Sequence, residues 1–536
     1  MNEKSPSGYL SHRNVHFFGL VLLAVGLPFS LFLISLSQII LLANWMVAGN
    51  WRHIKGRFFG DPLALIMVSV YVAYVIGLIH TQDFPYAWED LRIKLPLLIL
   101  PLIIATTDPL TETEFIRILR MFVAAVFTAT LVSVVVKANL TPISVVDNRD
   151  ISIFISHIRF SLMVCLAVFF LAWMHIRDRA SRRWVYMILM AYFLWFLFLL
   201  KAMTGIVIAG VVGWLMLLLH VQNNRTLAGR RIYLFLLYLL PVIPALLIAN
   251  IVRNYNLRIK SRIPLKMEVL TPYGNRYVHQ PHDPTTESGY LVYRHVAWEE
   301  LKEAWEERSG IGIDGSDKKG NRLSNTLIRF LTSKGLKKDR DGLMALSDDE
   351  IRAIENGIAN ARYMEADMIT ARVEQICWEL DRYRSTGNPG GHSVSLRLEI
   401  WRTAGYIIAG HPWFGVGTGD VDVAFKEAYD LMDSPLSPQW RLSRSHNQFI
   451  SVAVSICVFG LLVFVFSLCY PWISGRIPHP ALYLSFFTIV LISMINEDTL
   501  ENQVGLTFFA FFNSLLLFGR GDRRASKSSG TLPASV

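Results

Sequence analysis

The chain has 536 residues, of which 53% are hydrophobic and only 18% are charged, and its mean hydropathy is +0.38. A soluble protein of this length would carry more charge. Several uninterrupted apolar stretches are long enough to cross a hydrocarbon core of about 30 Å. The composition therefore predicts a polytopic membrane protein and excludes a soluble one.

The net charge of +10 is explained by membrane topology rather than by a nucleic-acid partner. Cytoplasmic connectors of membrane proteins carry an excess of Lys and Arg, and the basic clusters of this chain all fall on one side of the topology described below. We therefore expect no nucleic acid among its partners. The clusters are Arg52, Lys55 and Arg57; Arg177, Arg179, Arg182 and Arg183; Arg225, Arg230 and Arg231; and Arg520, Arg523, Arg524 and Lys527.

Apolar runs predict about twelve transmembrane helices. A single helix over residues 14–49 would be far too long for one crossing, so we expect Gly26 and Pro28 to separate two helices. An even number of crossings places both basic termini in the cytoplasm. The runs are 13–30, 33–49, 61–80, 92–106, 116–136, 155–175, 184–201, 204–220, 231–252, 447–470, 479–496 and 502–519.

This topology divides the chain into four parts. Residues 1–252 form an N-terminal bundle of about nine helices, residues 447–519 form a C-terminal bundle of three, and residues 520–536 are a basic cytoplasmic tail. Residues 253–446, which we call the cap, are the one non-cytoplasmic segment long enough to hold a domain. Amphipathic stretches such as "YRHVAWEELKEAWEERS" predict helices there. The predicted fold is an all-α polytopic membrane protein with a large, mostly helical cap.

Several cations lie beside apolar runs on the non-cytoplasmic side. A charge at the centre of a transmembrane helix costs about 2.5–3.5 kcal/mol on insertion scales, so each cation needs either a snorkelling position at the interface or a function. Arg397 lies one helical turn before Trp401. His157 and Arg159 in "SHIRF", and Lys201 in "KAMTG", lie at the outer ends of membrane helices.

A histidine and three acids complete the non-cytoplasmic group. His446 and Asn447 open an apolar run, and a histidine with an unperturbed pKa of about 6.5 suits general base chemistry at neutral pH. Simple packing at a helix entrance is the structural alternative. Glu497, Asp498 and Glu501 lie between the last two helices. Glu497 and Glu501 are four residues apart and are predicted to share a helical face.

Together these groups suit a lipid-linked diphosphate as substrate. Planar guanidinium groups bind phosphate oxygens in a bidentate way and can neutralise a diphosphate leaving group. The sequence has no metal-ligand spacing, P-loop or Ser/His/Asp motif, so we expect no metal, no cofactor and no ATP. The glycines of "HPWFGVGTG" are weak evidence for phosphate binding, because no strand precedes them.

Two stretches, "RLEIWRTAGYIIAGHPWFGVGTG" and "SHNQFISVAVSICVFG", resemble the O-antigen ligase/polymerase superfamily. Its members are integral membrane glycosyltransferases of the GT-C type, with about twelve spans and a large periplasmic loop before the last three. Arg397 and the bulky Trp401 match one family motif. His446, Asn447 and Gly460 match the other.

Cys457 departs from the second motif, because a glycine is usual at that position. Cys457 and Gly460 are predicted to share one helix face, where small side chains let a neighbouring helix approach closely. The family also often has an arginine at the start of the span corresponding to 204–220. Lys201 or Arg159 is expected to supply that charge here.

The resemblance implies a membrane glycosyltransferase that moves a glycan from undecaprenyl diphosphate to a sugar hydroxyl of lipid A–core. The reaction would occur on the periplasmic face of the bacterial inner membrane, invert the anomeric centre and need no metal. Arg397, with Arg159 and Lys201, is expected to hold the donor diphosphate, and His446 to take or direct the acceptor proton. The supporting residues expected are Asn447, His157, Glu497, Asp498, Glu501 and Trp401.

Two other functions remain open at this point. An O-antigen polymerase has the same motifs but uses a second lipid-linked repeat as acceptor; the large cap and the stretches "SHIRF" and "NEDTLE" favour the ligase. A polytopic lipid or glycan transporter would call for related halves and charges at mid-membrane. Here the two halves differ grossly, and most of the candidate charges lie near one face.

Overall fold

The computed structural model describes residues 11–142, 148–178, 182–226, 228–260, 267–280, 282–390, 392–442 and 444–520. The predicted basic tail lies outside these residues apart from Arg520, and so does Arg179. Within the described residues the chain is mostly helical, and two very short strands, β1 (Thr286–Glu287) and β2 (Tyr290–Leu291), pair in antiparallel fashion.

The first half of the described chain forms twelve α-helices. These are α1 (His12–Gly26), α2 (Leu31–Ala48), α3 (Trp51–Gly60), α4 (Pro62–Ile76), α5 (Phe84–Lys94), α6 (Pro96–Thr106), α7 (Glu112–Lys137), α8 (His157–Arg177), α9 (Arg183–Leu199), α10 (Met203–Asn223), α11 (Arg230–Leu239) and α12 (Val242–Lys260).

The second half begins with short helices and ends with long apolar ones. These are α13 (Trp298–Glu306), α14 (Leu323–Ser333), α15 (Arg340–Met344), α16 (Asp348–Glu355), α17 (Arg362–Glu365), α18 (Met368–Thr386), α19 (Ser393–Gly410), α20 (Val421–Leu431), α21 (Gln448–Ser474), α22 (Pro480–Asn496) and α23 (Gln503–Phe518).

Seven helical segments in the described residues are long and apolar enough to cross a membrane, which confirms a membrane-embedded, all-α protein. The predicted break between the first two helices is also confirmed, since α1 ends at Gly26 and α2 begins at Leu31. The total of twelve crossings stays a prediction. The seven segments are Leu31–Ala48, Pro62–His80, Glu112–Lys137, His157–Arg177, Met203–Asn223, Arg230–Ile259 and Gln448–Ser474, and Arg183–Leu199, Pro480–Asn496 and Gln503–Phe518 are shorter apolar helices.

The chain forms two units. The first unit spans Met1–Asn223, Ile400–Met432 and Leu442–Val536, and the second spans Asn224–Glu399 and Asp433–Arg441. The core of the first unit is rich in aromatic rings: Phe122 lies 4.7 Å from Phe512, and Phe170 lies 5.4 Å from Phe512, between ring centroids. Such edge-to-face pairs add to the stability that apolar burial provides.

The second unit has its own hydrophobic core. Leu301 and Trp305 of the predicted amphipathic stretch are fully buried on α13, and Phe330 and Ile354 belong to the same core. The Trp305 indole N–H donates to the Ile311 carbonyl at 2.7 Å, so its polar atom is also satisfied inside the core.

Candidate active site

His446 is held at the entrance of α21 by the residue that follows it. Asn447 is the N-cap of this helix, and its side-chain oxygen accepts from the backbone N–H groups of Phe449 and Ile450. Its side-chain amide donates to the Ile495 carbonyl at 2.9 Å, near the end of α22. Asn447 therefore fixes the start of α21 against α22, and with it the position of His446.

His446 faces the acidic turn between α22 and α23. Its Nδ1 lies 3.4 Å from Glu497 Oε2. Asp498, next along the chain, is only 3% exposed, and its Oδ2 has no hydrogen-bond partner in the described part of the protein. Burial raises the pKa of the Asp498 carboxyl above its ordinary value, although His446 and Arg444 act in the opposite direction. A histidine beside a carboxylate is arranged as a general base needs to be.

The prediction that Glu497 and Glu501 share a helical face is wrong. α22 ends at Asn496, and residues 497–502 form a non-helical turn. The two carboxylates consequently point to different partners, because Glu501 Oε2 accepts from Lys94 Nζ at 2.7 Å instead of lying beside Glu497 and His446.

Lys94 forms a buried ion cluster beneath this turn. It is 1% exposed, and its ammonium group also donates to Asp90 Oδ1 at 2.5 Å and lies 4.6 Å from the centre of the Tyr74 ring. Burial alone would raise the pKa of Glu501, but the adjacent Lys94 lowers it overall. Sequence reasoning missed Lys94, although its position at the start of an apolar run was a signal of the kind used for Lys201.

Gln448 connects the ion cluster to the histidine. Its side-chain amide donates to Glu501 Oε1 at 2.8 Å, and its side-chain oxygen accepts from the Leu500 backbone N–H at 2.6 Å. Gln448 is fully buried and lies two residues after His446. The turn that carries Glu497 and Asp498 is thus tied to α21 at several points, which orders the histidine and its carboxylate partner together.

Two arginines lie within electrostatic reach of the acids. Arg159, in the first turn of α8, interacts with Asp498, Glu497 and Arg444 through its charge. Arg444 is exposed and also acts on Asp498. The structure therefore brings the predicted Arg159 to the site and adds Arg444, two residues before His446, which sequence reasoning had not assigned.

Lys201 and His157 are the remaining predicted residues of the site, and each lies at or near the start of a helix. Lys201 lies in the turn between α9 and α10 with a φ of +51°, and its side chain is exposed and makes no ion pair with the acids in the described residues. Thr204, three residues later, accepts from the Asn496 side chain at 3.3 Å, so the start of α10 contacts the end of α22. His157 is the first residue of α8.

Trp401 supports the backbone beside the histidine. Its indole N–H donates to the Ser445 carbonyl at 2.8 Å. Arg397 lies one turn earlier on the same helix, α19, which continues from the second unit into the first between Glu399 and Ile400. α19 ends at Gly410, two residues before Pro412.

α21 is broken at the second family motif. Ile456 and Cys457 have non-helical backbone angles, and Cys457 has a φ of +36°. The loop after α19 fills the break: the Val416 N–H donates to the Val454 carbonyl at 3.1 Å, and the Gly417 N–H donates to the Ser455 carbonyl at 3.0 Å. The unsatisfied carbonyls of the broken turn thereby find donors.

The glycines at this break serve close packing. A Cβ on Gly415 would lie 2.4 Å from the Ser455 carbonyl oxygen, and one on Gly417 would lie 2.8 Å from Thr81 Oγ1. The expectation that Cys457 and Gly460 share a regular helix face is wrong, because the helix is interrupted at Cys457. A Cβ on Gly460 would lie 2.1 Å from Ile456 Cγ1. The space beside Gly460 is therefore taken by Ile456 of the same helix rather than by a neighbouring helix.

Three side chains of the site could in principle ligate a cation. His446, Glu497 and Asp498 each offer one ligand atom, and these atoms lie within 4.8 Å of one another. A divalent cation accepts such ligands, but the positive charges of Arg159 and Arg444 act on the same carboxylates and oppose it. The arrangement suits a hydrogen-bonded base flanked by anion-binding arginines better than a metal centre.

The fold and this cluster define the class: an all-α membrane protein with a histidine–carboxylate pair and two arginines at the ends of its helices. Comparison with known families adds a match over part of the chain. A family model described as O-antigen ligase matches residues 357–465, which include Arg397, Trp401 and His446. This match supports the resemblance to the O-antigen ligase/polymerase superfamily found in the sequence. No curated protein matches the chain.

Proposed function

We propose that the protein is an O-antigen ligase, which transfers a glycan from undecaprenyl diphosphate to a sugar hydroxyl of lipid A–core at the periplasmic face of the bacterial inner membrane. The observation that carries the proposal is the pairing of His446 with Glu497 beside two arginines, within a chain whose residues 357–465 match the O-antigen ligase family.

In this reaction His446 acts on the acceptor. Its imidazole takes or directs the proton of the attacking hydroxyl, and Glu497 orients the ring and stabilises its protonated form. General base catalysis of this kind contributes about 10²–10⁴-fold to a rate. Attack by the hydroxyl oxygen breaks the bond between the anomeric carbon and the diphosphate, inverts the anomeric centre and releases undecaprenyl diphosphate.

The diphosphate leaving group calls for positive charge. We assign Arg397 to it from the family motif, and Arg159 from its place in the first turn of α8 near the acids. Guanidinium groups bind phosphate oxygens in a bidentate way and can replace a metal as counter-charge. Lys201 is a weaker member of this group, since its exposed side chain makes no ion pair in the described residues.

The deciding experiment reconstitutes the purified protein with undecaprenyl-diphosphate-linked glycan and lipid A–core, without ATP. We expect transfer by the wild type and a loss of at least about 100-fold in His446→Ala, Arg397→Ala and Arg159→Ala. His53→Ala and Arg52→Ala, on exposed positions of α3, are matched controls that should keep full activity. Full activity in all three site variants would refute the proposed site.

A polymerase is the nearest rival, because both activities belong to the matched superfamily. A strain lacking the gene separates them. Loss of a ligase leaves lipid-linked polymer accumulating and lipopolysaccharide without long chains, whereas loss of a polymerase leaves single repeats. A transporter would not join donor to lipid A–core in the purified system at all.

We also propose that the reaction needs no metal. Washing the reconstituted protein with a chelator, and then assaying it with the chelator present, should leave the transfer rate unchanged. A rate that falls and is restored by one divalent cation would instead assign that cation to His446, Glu497 and Asp498, whose ligand atoms lie within 4.8 Å of one another.

A further inference from the structure

A second group of cations surrounds the Trp378 indole in the second unit. The Arg329 guanidinium lies 3.8 Å from the ring centroid and the Arg382 guanidinium 5.6 Å from it. The His392 ring lies edge-on to the same indole, with 5.0 Å between centroids. None of these side chains has a part in the catalytic roles assigned above.

The two arginines of this group differ in whether a carboxylate lies close to them. Arg329 Nε donates to Glu287 Oε2 at 2.8 Å, so this guanidinium is paired with a carboxylate. Arg382 has no carboxylate within 4.0 Å among the described residues, and its buried Nε has no hydrogen-bond partner there. Asp283 and Glu287 act on it only through charge at longer range. Half-burying a guanidinium without a close counter-ion is costly.

In the described residues, the one close polar partner of the Arg382 guanidinium is neutral. Its Nη1 lies 2.5 Å from His392 Nε2, and because guanidinium nitrogens only donate, this imidazole nitrogen must accept. Burial, together with the nearby arginines, lowers the pKa of His392 to about 4, so the ring carries no proton at that nitrogen at neutral pH. The guanidinium of Arg382 is therefore left without a close counter-ion in the described part of the protein.

The start of α19 beside this group already has its own carboxylate. Glu379 Oε2 accepts from the Val394 N–H at 2.9 Å, and Arg372 donates to Ser393 Oγ at 2.9 Å. The unsatisfied charge thus belongs to the guanidinium of Arg382 and not to the helix terminus. Glu379 also interacts through its charge with Arg372, Arg329 and Arg397, so the group adjoins the first turns of the helix that carries Arg397.

We propose that Arg382 is the centre of an anion-binding site that takes a phosphate or carboxylate group of the acceptor saccharide. Guanidinium recognises either group through paired N–H donors, and an anion bound there would satisfy the buried Nε–H of Arg382, which has no hydrogen-bond partner in the described residues. The identity of the ligand as an acceptor rests on the proposed function; the binding of an anionic sugar does not.

Binding can be measured apart from catalysis. Full-length protein in nanodiscs of uncharged phosphatidylcholine is titrated with mannose 6-phosphate, galacturonic acid or mannose, and hydrogen exchange is followed over residues 378–396. We expect protection by at least one of the two anionic sugars and none by mannose; which anion binds identifies the acceptor group. Equal protection by mannose, or protection only by added phosphatidylglycerol, would overturn the proposal.

Arg382→Gln should weaken the binding of the anionic sugar at least tenfold. Arg384→Gln is the matched control, because it makes the same change two residues away on α18 at an exposed position. Thermal melting reports whether the Arg382 variant folds, and Arg382→Lys, which keeps the charge but loses the paired donors, should bind with intermediate affinity. Unchanged binding in a folded Arg382→Gln would refute the site.

A kinetic measurement links the site to the acceptor. With wild-type protein, KM for a phosphorylated or uronic-acid-containing acceptor should be at least tenfold lower than KM for the same acceptor without that group. In Arg382→Gln this ratio should fall towards one. If wild-type protein binds the anionic sugar but transfers no glycan, the proposed function fails and the anion site stands.

Discussion

Cys457 has a backbone conformation that residues with a Cβ rarely adopt. Its φ of +36° with a ψ of −141° lies in a region that is nearly restricted to glycine, where other residues carry about 1–3 kcal/mol of strain. The loop of Val416 and Gly417 holds this conformation through its hydrogen bonds to the broken turn. The usual glycine of the family motif at this position has a direct physical reason.

We predict that Cys457→Gly is more stable than Cys457→Ala by about 1 kcal/mol, because both variants lose the buried thiol but only glycine relieves the strain. Thermal unfolding of the detergent-solubilised protein measures the difference. Cys469, on the regular part of the same helix, is the control: there the alanine variant should be the more stable by about 1 kcal/mol. The same order at both positions would contradict the account.

His392 makes the stability of the second unit depend on pH. Its folded pKa of about 4 lies below the ordinary value of 6.5, so the unfolded chain binds more protons between these values. The contribution of His392 to the free energy of unfolding is complete above about pH 6.5. Up to about 3 kcal/mol of it is lost as the pH falls towards 4. We expect His392→Gln to flatten this decline, measured by hydrogen exchange of the second unit. His282→Gln, at an exposed position, should leave it unchanged.

At the scale of elements, the ion cluster of Lys94 joins α5 to the turn after α22. Lys94→Met would leave Asp90 and Glu501 in the interior without a counter-ion, at a cost of about 3–5 kcal/mol. Adding Asp90→Asn and Glu501→Gln should restore most of the stability, since no charge then remains to be neutralised. Thermal unfolding and glycan transfer are measured together. A single variant as stable as the wild type would contradict this role.

An element could be predicted where the residues that determine it are close to it in the sequence. Apolar runs and their breaks are local, so the helix boundaries at Gly26 and Gly410 were predictable from a few residues around each. The partner of Glu501 was not, because Lys94 lies about 400 positions away and only the packing of α5 brings it close. The break at Cys457 was missed because its cause, the loop of Val416, lies outside α21.

For the whole molecule, the direction of insertion is the property that the proposed function needs most. We predict that Lys318 lies outside the cytoplasm and Arg52 inside it. Each is changed to cysteine in a cysteine-free background and exposed to a membrane-impermeant maleimide on spheroplasts. Labelling of residue 318 in intact spheroplasts, and of residue 52 only after lysis, is expected; the reverse pattern would place the candidate site in the wrong compartment for a lipid A–core acceptor.

The segment Arg230–Ile259 also makes the protein sensitive to the thickness of the bilayer. It has 30 residues, and only 6% of its most apolar window is buried within the structure. With its two helices, α11 and α12, placed end to end, the segment is about 45 Å long, against a hydrocarbon layer of about 30 Å. It must tilt, or extend into the headgroups, to match the bilayer. Acyl-chain length in reconstituted membranes is thus a physical variable that acts on this segment, and through it on the second unit to which it belongs.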